Sequence, residues 1–259
     1  ENPPPLVLVS VPWRNAQTLE KIYRPMIRLL EQQMGRSVVF YVSTDYRELG
    51  QRLISGAAHL GIFGPNAYVE AKNQYPAIRY LATCMQPSAY YRSLIIARKD
   101  SGIRRLSDLK GKSFGFTDKQ STSGYLYPLL MLTAAGLDPK TDFSITYFME
   151  KHDKVFDAVA GKSIDAGGAS LTAMAQARER NHDVYTIVAQ SDPIPRNAVA
   201  AAPDLSDDEI LRIKQILSTA GDSEIFQKSD SILTGFALET DQFYDIVRKA
   251  RTLRHRTAP

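Results

Sequence analysis

Three consecutive hydroxyl residues, Ser121, Thr122 and Ser123, form the segment of this sequence best suited to bind a ligand. They follow a strand-like run over residues 112–118 and precede an apolar run over residues 126–135. The pattern predicts a strand, a turn and a helix. A helix start offers free backbone N–H groups and a positive dipole end, so this turn is suited to an anion or a small polyhydroxylated oxide. Ser and Thr are also ordinary helix caps, and the motif alone leaves both interpretations open.

The chain contains one cysteine, Cys84, which cannot form an internal disulfide. In a cytosolic protein a single cysteine would mean little, whereas in an exported protein an unpaired thiol is unusual and would mark a candidate functional residue. The alternative interpretation is a small buried apolar side chain with no chemical role.

The composition is that of a globular protein and excludes several classes. The 259 residues suffice for one large domain or two lobes, and 44% hydrophobic and 23% charged residues are ordinary proportions. The net charge of +4 is mild, and the basic residues form no concentrated face of the kind that nucleic-acid binding requires. No apolar run is long enough to span a membrane. We predict no cofactor.

Strand-like and helix-like segments alternate along the chain, which predicts an α/β fold with doubly wound, mainly parallel sheets. One lobe is predicted to comprise residues 1–95 and 199–259, and residues 96–198 form a second lobe inserted into it. The chain would then cross between the lobes near residues 92–98 and 196–201.

Ligands of doubly wound sheets bind beyond the carboxyl ends of the strands. Phe63 ends a predicted strand and is followed by a Gly-Pro-Asn turn into a helix. The Ser121–Ser123 turn occupies an equivalent position in the second lobe. Both segments are therefore candidate ligand-binding positions.

Seven segments, taken in order, resemble the periplasmic binding proteins for phosphate, phosphite and phosphonates. The resemblance covers nearly the whole chain and implies a two-lobed periplasmic-binding-protein fold with two crossover strands at the hinge. It also implies a location in the periplasm and no enzymatic activity. The matching segments are residues 61–68, 90–93, 98–103, 106–112, 117–125, 152–153 and 191–195.

In that family, two lobes close on an oxyanion. The resemblance implies that the hydroxyls and amides of Ser121, Thr122 and Ser123 hold its oxygens. It further implies that His152 adds a hydrogen-bond donor and that aromatic side chains line the pocket. The implied aromatic residues are Tyr46 and Tyr91, beside the candidate Phe63.

The sequence departs from the aminophosphonate-binding members after Ile194-Pro195. Those proteins have a carboxylate there for the ligand's amine, whereas this chain has Arg196-Asn197-Ala198. An ammonium group would lose its counter-ion, which helps to offset the cost of burying its charge. Aminoethylphosphonate is therefore a disfavoured ligand.

Cys84 is the second departure. It ends a strand-like run just before the Tyr90-Tyr91 segment, where a thiol is able to point into the ligand pocket. Thiolates select soft centres such as trivalent arsenic rather than hard phosphate. In this respect the chain is similar to the arsenite-binding periplasmic sensors of the same family, and that similarity predicts arsenic(III) bound through Cys84.

Three functions follow as hypotheses. The first is an arsenite sensor that signals to a membrane histidine kinase regulating arsenite oxidation, through the domain closure typical of this architecture. The second is the substrate-binding component of an ABC transporter for phosphate, phosphite or a phosphonate, with a membrane permease as its partner. The third is an enzyme with Cys84 as nucleophile and His152 as base. The third is disfavoured because these residues are predicted on opposite lobes.

Overall fold

The computed structural model describes the backbone of residues 3–257 and the side chains of residues 3–254. Residues 1, 2, 258 and 259 of the predicted first lobe lie outside the described residues. Strands and helices alternate through the first part of the chain. In order, they are β1 Leu6–Ser10, α1 Ala16–Met34, β2 Val38–Val42, α2 Glu48–Ile54, β3 Leu60–Phe63, α3 Pro65–Gln74, β4 Arg79–Met85 and β5 Tyr90–Tyr91.

The middle of the chain repeats this alternation, and the last part is mainly helical. The middle elements are β6 Ser93–Arg98, β7 Ser113–Phe116, α4 Tyr127–Ala134, β8 Ile145–Phe148, α5 His152–Ala160, β9 Ala166–Ser170, α6 Leu171–Arg180, β10 Tyr185–Gln190 and β11 Ile194–Pro195. The last elements are β12 Ala198–Ala201, α7 Asp207–Ser218, α8 Glu224–Gln227, β13 Gly235–Ala237 and α9 Asp245–Thr257.

The chain divides into two compact units. The first comprises the described residues up to Tyr90 together with Pro195–Asp245, and the second comprises Tyr91–Ile194 and the chain from Ile246 onward. The sequence pattern predicts this last segment as part of the first lobe. It groups with the second unit because α9 packs there, with the guanidinium carbon of Arg254 5.0 Å from the ring centre of Tyr125.

The sheet of the first unit has the strand order β13-β4-β12-β3-β1-β2. β1 pairs in parallel with β2 and β3, whereas β12 pairs antiparallel with β3 and β4, and β13 antiparallel with β4. The sheet is therefore mixed: β1, β2, β3 and β4 run in one direction, whereas β12 and β13 run in the other. The reversed β12 enters the sheet after the inserted unit and runs opposite to both of its neighbours.

The sheet of the second unit, β10-β6-β9-β7-β8, is also mixed. β7 pairs in parallel with β8 and β9, and β6 pairs antiparallel with β9 and β10. Successive side chains of β6 pack into different apolar clusters, Leu94 and Ile96 in one and Ile95 and Ala97 in the other. Because side chains alternate across a strand, both faces of this sheet are covered.

The helix ends follow local sequence signals. Asn15 caps α1 by accepting a 2.9 Å hydrogen bond from the Thr18 amide, and Gly35 ends it in the left-handed conformation at φ 66°. Ser206 and Glu209 form a capping box at the start of α7. Among the described residues, no helix is long and apolar enough to cross a membrane.

Candidate oxyanion site

Three parallel strands of the second unit end at one edge of its sheet, and each is followed by a helix. Phe116 at the end of β7 pairs in register with Phe148 at the end of β8. The helical segments that follow β7, β8 and β9 begin at Thr122, His152 and Leu171. Helix starts have backbone N–H groups without intrahelical acceptors, so this edge collects partial positive charge.

The hydroxyl turn lies at this edge as one turn of π-helix, Thr122–Leu126, that continues into α4. Ser121 caps it, because the Ser121 Oγ accepts a 3.0 Å hydrogen bond from the Gly124 amide. A hydroxyl that accepts still has its own proton to donate. Ser121, Thr122 and Ser123 are each only 2% exposed. The turn thus presents buried donors at a helix start, where π-turns are often functional.

The end of β7 packs directly against this turn. The Thr117 amide donates to the Gly124 carbonyl at 3.1 Å. A Cβ atom on Gly124 would lie 1.8 Å from the Thr117 Oγ1, a distance that no non-bonded pair tolerates. Position 124 therefore requires glycine because of this close approach rather than because of its backbone angles.

His152, which is buried, is the first residue of α5. The loop before it is attached to the end of β7, where the Met149 amide donates to the Phe116 carbonyl at 2.7 Å and the Glu150 amide to the Thr117 carbonyl at 3.0 Å. These bonds place the start of α5 at the same sheet edge as the hydroxyl turn. Tyr91 belongs to the same unit.

Two buried hydroxyls that no sequence motif indicates flank the turn. The Thr117 Oγ1 and the Tyr127 Oη are inaccessible to solvent and have no hydrogen-bond partner in the part of the chain that the structure describes. Burial also raises the pKa of the Tyr127 phenol above its usual range, with Tyr91 and Asp192 adding to the effect. A buried hydroxyl without a partner is costly, so each is suited to bind a ligand or a water molecule.

In the first unit, the turn after β3 has a core environment. Gly64 precedes α3, and the Tyr46 ring would lie 3.7 Å from a Cβ at Gly64. The Phe63 side chain is fully buried and packs edge-on against Tyr68, with ring centres 6.2 Å apart. It also lies across Gly61, where a Cβ would be 2.7 Å from the Phe63 ring. These contacts account for Phe63 as a packing residue.

Cys84 lies on β4 opposite Phe236 of β13, and its amide donates to the Asn197 carbonyl at 2.9 Å. It is 1% exposed, and burial raises the pKa of its thiol to about 12, although the charge of Arg196 opposes the shift. The raised pKa disfavours the thiolate, which is the form of cysteine that acts as a nucleophile. Within the described residues, no three His, Cys, Asp or Glu side chains are grouped to hold a metal ion.

Arg14 is a buried cation that the sequence pattern does not indicate. It follows β1 closely and is 2% exposed, with its guanidinium carbon 5.8 Å from the ring centre of Trp13. Because a guanidinium stays charged, it gives the interior of the first unit a permanent positive charge. Arg14 lies four residues beyond the last residue of β1 and belongs to no recognisable sequence motif, so the sequence does not reveal its burial.

The predicted ligand residues divide between the two units. The first unit contains Tyr46, Phe63 and Cys84, and the second contains Tyr91, His152 and the three residues of the hydroxyl turn. Within the second unit, the structure brings the turn and His152 to one edge of the sheet. The arrangement offers buried hydroxyl and amide donors at the same sheet edge as the His152 imidazole.

Two α/β units with a polar helix-start site at a strand edge are the features of a solute-binding protein. A family model described as "ABC transporter, phosphonate, periplasmic substrate-binding protein" matches residues 8–244. The chain belongs to this family of periplasmic substrate-binding proteins, as the sequence segments predicted.

Individual relatives support this assignment. The phosphate-import protein PhnD of Mycolicibacterium smegmatis is 29% identical over 95% of this chain and 84% of its own length. The tetrathionate sensor histidine kinase TtrS of Salmonella typhimurium is 27% identical over 56% of this chain and 25% of its own length. Among solved structures, the binding component of an ABC phosphonate transporter from Pseudomonas aeruginosa superposes with a TM-score of 0.88 at 24% identity, covering 98% of this chain and 87% of that chain. The predicted α/β periplasmic-binding-protein fold is therefore confirmed.

Proposed function

We propose that this protein binds a tetrahedral phosphorus oxyanion, phosphate or a phosphonate, in the periplasm and delivers it to an ABC permease. The observation that carries the proposal is the buried hydroxyl turn Ser121–Ser123 at the start of a helix. Hydroxyl and amide donors at a helix start match the charged oxygens of such an anion. The family and the phosphate-import relative support the same ligand class.

Each part of the second unit's edge has a role in this proposal. Ser121, Thr122 and Ser123 donate to the anion's oxygens through hydroxyls and amides, and His152 adds a ring N–H donor. The buried hydroxyls of Thr117 and Tyr127 complete the set of donors. The roles of Tyr46, Phe63 and Tyr91 as lining residues remain predictions.

Arg196 bears on the choice among phosphonates. Its guanidinium donates to the Gln86 side-chain oxygen at 2.9 Å and to the carbonyls of Gln86 and Ser88 at 3.0 and 2.9 Å. These bonds hold the loop after β4 in place. Position 196 thus bears a cation, whereas a ligand amine would require a carboxylate. We propose that phosphate and alkylphosphonates bind more tightly than aminoethylphosphonate.

Isothermal titration calorimetry with phosphate, methylphosphonate, aminoethylphosphonate and arsenite tests the proposal. We expect binding of phosphate or methylphosphonate by the wild type, and strongly reduced binding by the double variant Ser121→Ala/Ser123→Ala. Circular dichroism of the double variant controls for folding. Wild-type affinity in a folded double variant would exclude the turn as the site.

A second candidate is an arsenite sensor that binds through Cys84 and signals to a membrane histidine kinase. The observation in its favour is the similarity to a sensor kinase over 56% of the chain. The buried, protonated Cys84 thiol argues for the transporter function instead. Mass spectrometry after incubation with arsenite distinguishes the two, because covalent attachment of arsenic to Cys84 would favour the sensor.

A further inference from the structure

A cavity of about 560 Å³ opens on the second unit, beside the hydroxyl turn and formed by the second unit alone. Its size is typical of sites for small organic molecules. Side chains from β7, β8, α4 and the loop after α4 line it, and Arg254 of α9 contributes from the end of the chain. Neither Ser121, Thr122 nor Ser123 lines it, so it is distinct from the oxyanion site.

Three aromatic rings form one wall of this cavity. Phe116 and Phe148 stack with their ring centres 5.7 Å apart and an interplanar angle of 27°. Tyr125 packs against both, at 5.1 Å from Phe116 and 5.6 Å from Phe148. The Phe148 side chain is 44% exposed, so part of the apolar surface of this ring cluster remains in contact with solvent. A flat apolar body stacked on this wall would cover that exposed surface.

The charges around the cavity are mainly positive. Lys119, Lys140 and Arg254 line it, against Asp138 as its one lining carboxylate among the described residues. The Lys119 Nζ lies 5.3 Å from the ring centre of Phe148, and the Arg254 guanidinium carbon 5.0 Å from that of Tyr125. Two cations therefore stand over the aromatic wall, where they attract an anionic group attached to a stacked ring.

We propose that this cavity is a second binding site, specific for a small aromatic anion such as an aromatic carboxylate or sulfonate. The rings stack on the flat body, and Lys119 and Arg254 bind the acidic group. Phosphate and methylphosphonate have no such body, so they are not ligands of this cavity. The site is independent of the oxyanion function proposed above.

Fluorescence titration of the full chain with anilinonaphthalene sulfonate tests this proposal. We expect saturable binding to one site that excess methylphosphonate does not displace. Lys119→Glu should weaken it about fivefold or more, the size of one favourable charge interaction. Phe148→Ser, at a position already 44% exposed, should weaken it as well while leaving the fold intact.

Lys249→Glu is the matched control, because it makes the same charge change at an exposed lysine of α9 that does not line the cavity. We expect wild-type affinity for it. Equal affinities in Lys119→Glu and Lys249→Glu, non-saturable fluorescence, or displacement by methylphosphonate would each overturn the proposal. Near-ultraviolet circular dichroism confirms that each variant is folded, which excludes dye binding to a loosened core.

Discussion

The Oγ of Ser93 donates a 2.7 Å hydrogen bond to the carbonyl oxygen of Ser123, and both residues are buried. Ser93 begins β6, and its amide in turn donates to the Ser191 Oγ at 2.9 Å. The hydroxyl turn is therefore attached through one of its carbonyls to β6 and to the segment after β10. With that carbonyl held inside the unit, the turn keeps one orientation, and preorganised donors of this kind bind an anion at a lower entropic cost.

The first prediction concerns this attachment. Ser93→Ala removes the donor and leaves the buried Ser123 carbonyl without it, so we expect the free energy of unfolding to fall by about 1–3 kcal/mol. Oxyanion affinity should fall too, because the turn loses its fixed orientation. Urea unfolding and calorimetry measure the two effects. Ser144→Ala, at an exposed serine of the same unit, is the control, and equal stability of the two variants would contradict the prediction.

The second prediction concerns Thr117, whose Oγ1 is buried and without a partner in the described part of the chain. Thr117→Val keeps the shape and removes this hydroxyl. The ligand-free protein should become more stable by about 1 kcal/mol or more, since an unsatisfied hydroxyl is costly to bury. Oxyanion binding should weaken in the same variant.

A gain in the stability of the ligand-free protein together with a loss of oxyanion affinity is diagnostic of a ligand-binding hydroxyl. Thermal unfolding without ligand measures the stability, and calorimetry with phosphate or methylphosphonate measures the affinity. Thr141→Val, at an exposed position, should change neither quantity. Unchanged affinity in Thr117→Val would show that the hydroxyl does not contact the ligand.

The third prediction concerns Thr122 at the start of the π-helical turn. A neutral hydrogen bond contributes about 0.5–1.5 kcal/mol, so Thr122→Ala should weaken oxyanion binding by roughly three- to tenfold. Thr122→Ser retains the hydroxyl and should recover most of the affinity. Calorimetry at one pH and one ionic strength makes the comparison, and equal affinities of the Ala and Ser variants would argue against hydroxyl donation.

The fourth prediction is a dependence of stability on pH through Cys84. Burial raises the pKa of this thiol from 9.0 to about 12, so above pH 9 the unfolded chain loses a proton that the folded protein retains. The free energy of unfolding should therefore fall with rising pH by about 1.4 kcal/mol per unit between pH 9 and 12. At lower pH this contribution is constant.

Cys84→Ser removes that titration and should show a shallower decline over the same pH range. Urea unfolding of both proteins at pH 8 and pH 10.5 measures the difference. The phenols of Tyr23, Tyr80 and Tyr244, whose pKa values are also raised, add to the decline in both proteins. Parallel pH profiles would mean that the thiol is accessible and ionises normally. An accessible thiol would in turn strengthen the case for Cys84 as an arsenic ligand.

The sequence alone revealed what depends on neighbours along the chain. Short segments of sequence are enough to recognise the hydroxyl turn, the alternation of strands and helices, and the family resemblance. Local backbone preferences and capping bonds act over a few residues, so Ser121 was predictable as a helix start and is observed as an N-cap. The hydroxyl turn of the second unit could therefore be proposed as a binding site before its geometry was known.

Only the tertiary structure decided what depends on residues far apart in the chain. The direction of β12 between β3 and β4, and the packing of α9 on the second unit, follow from long-range pairing that local patterns do not specify. The burial of Cys84 by β4 and its neighbours is likewise decided by distant segments, and its role as an arsenic ligand stays a prediction. Burial, pairing and pKa are properties of the surroundings, and those surroundings exist only once distant segments have packed together.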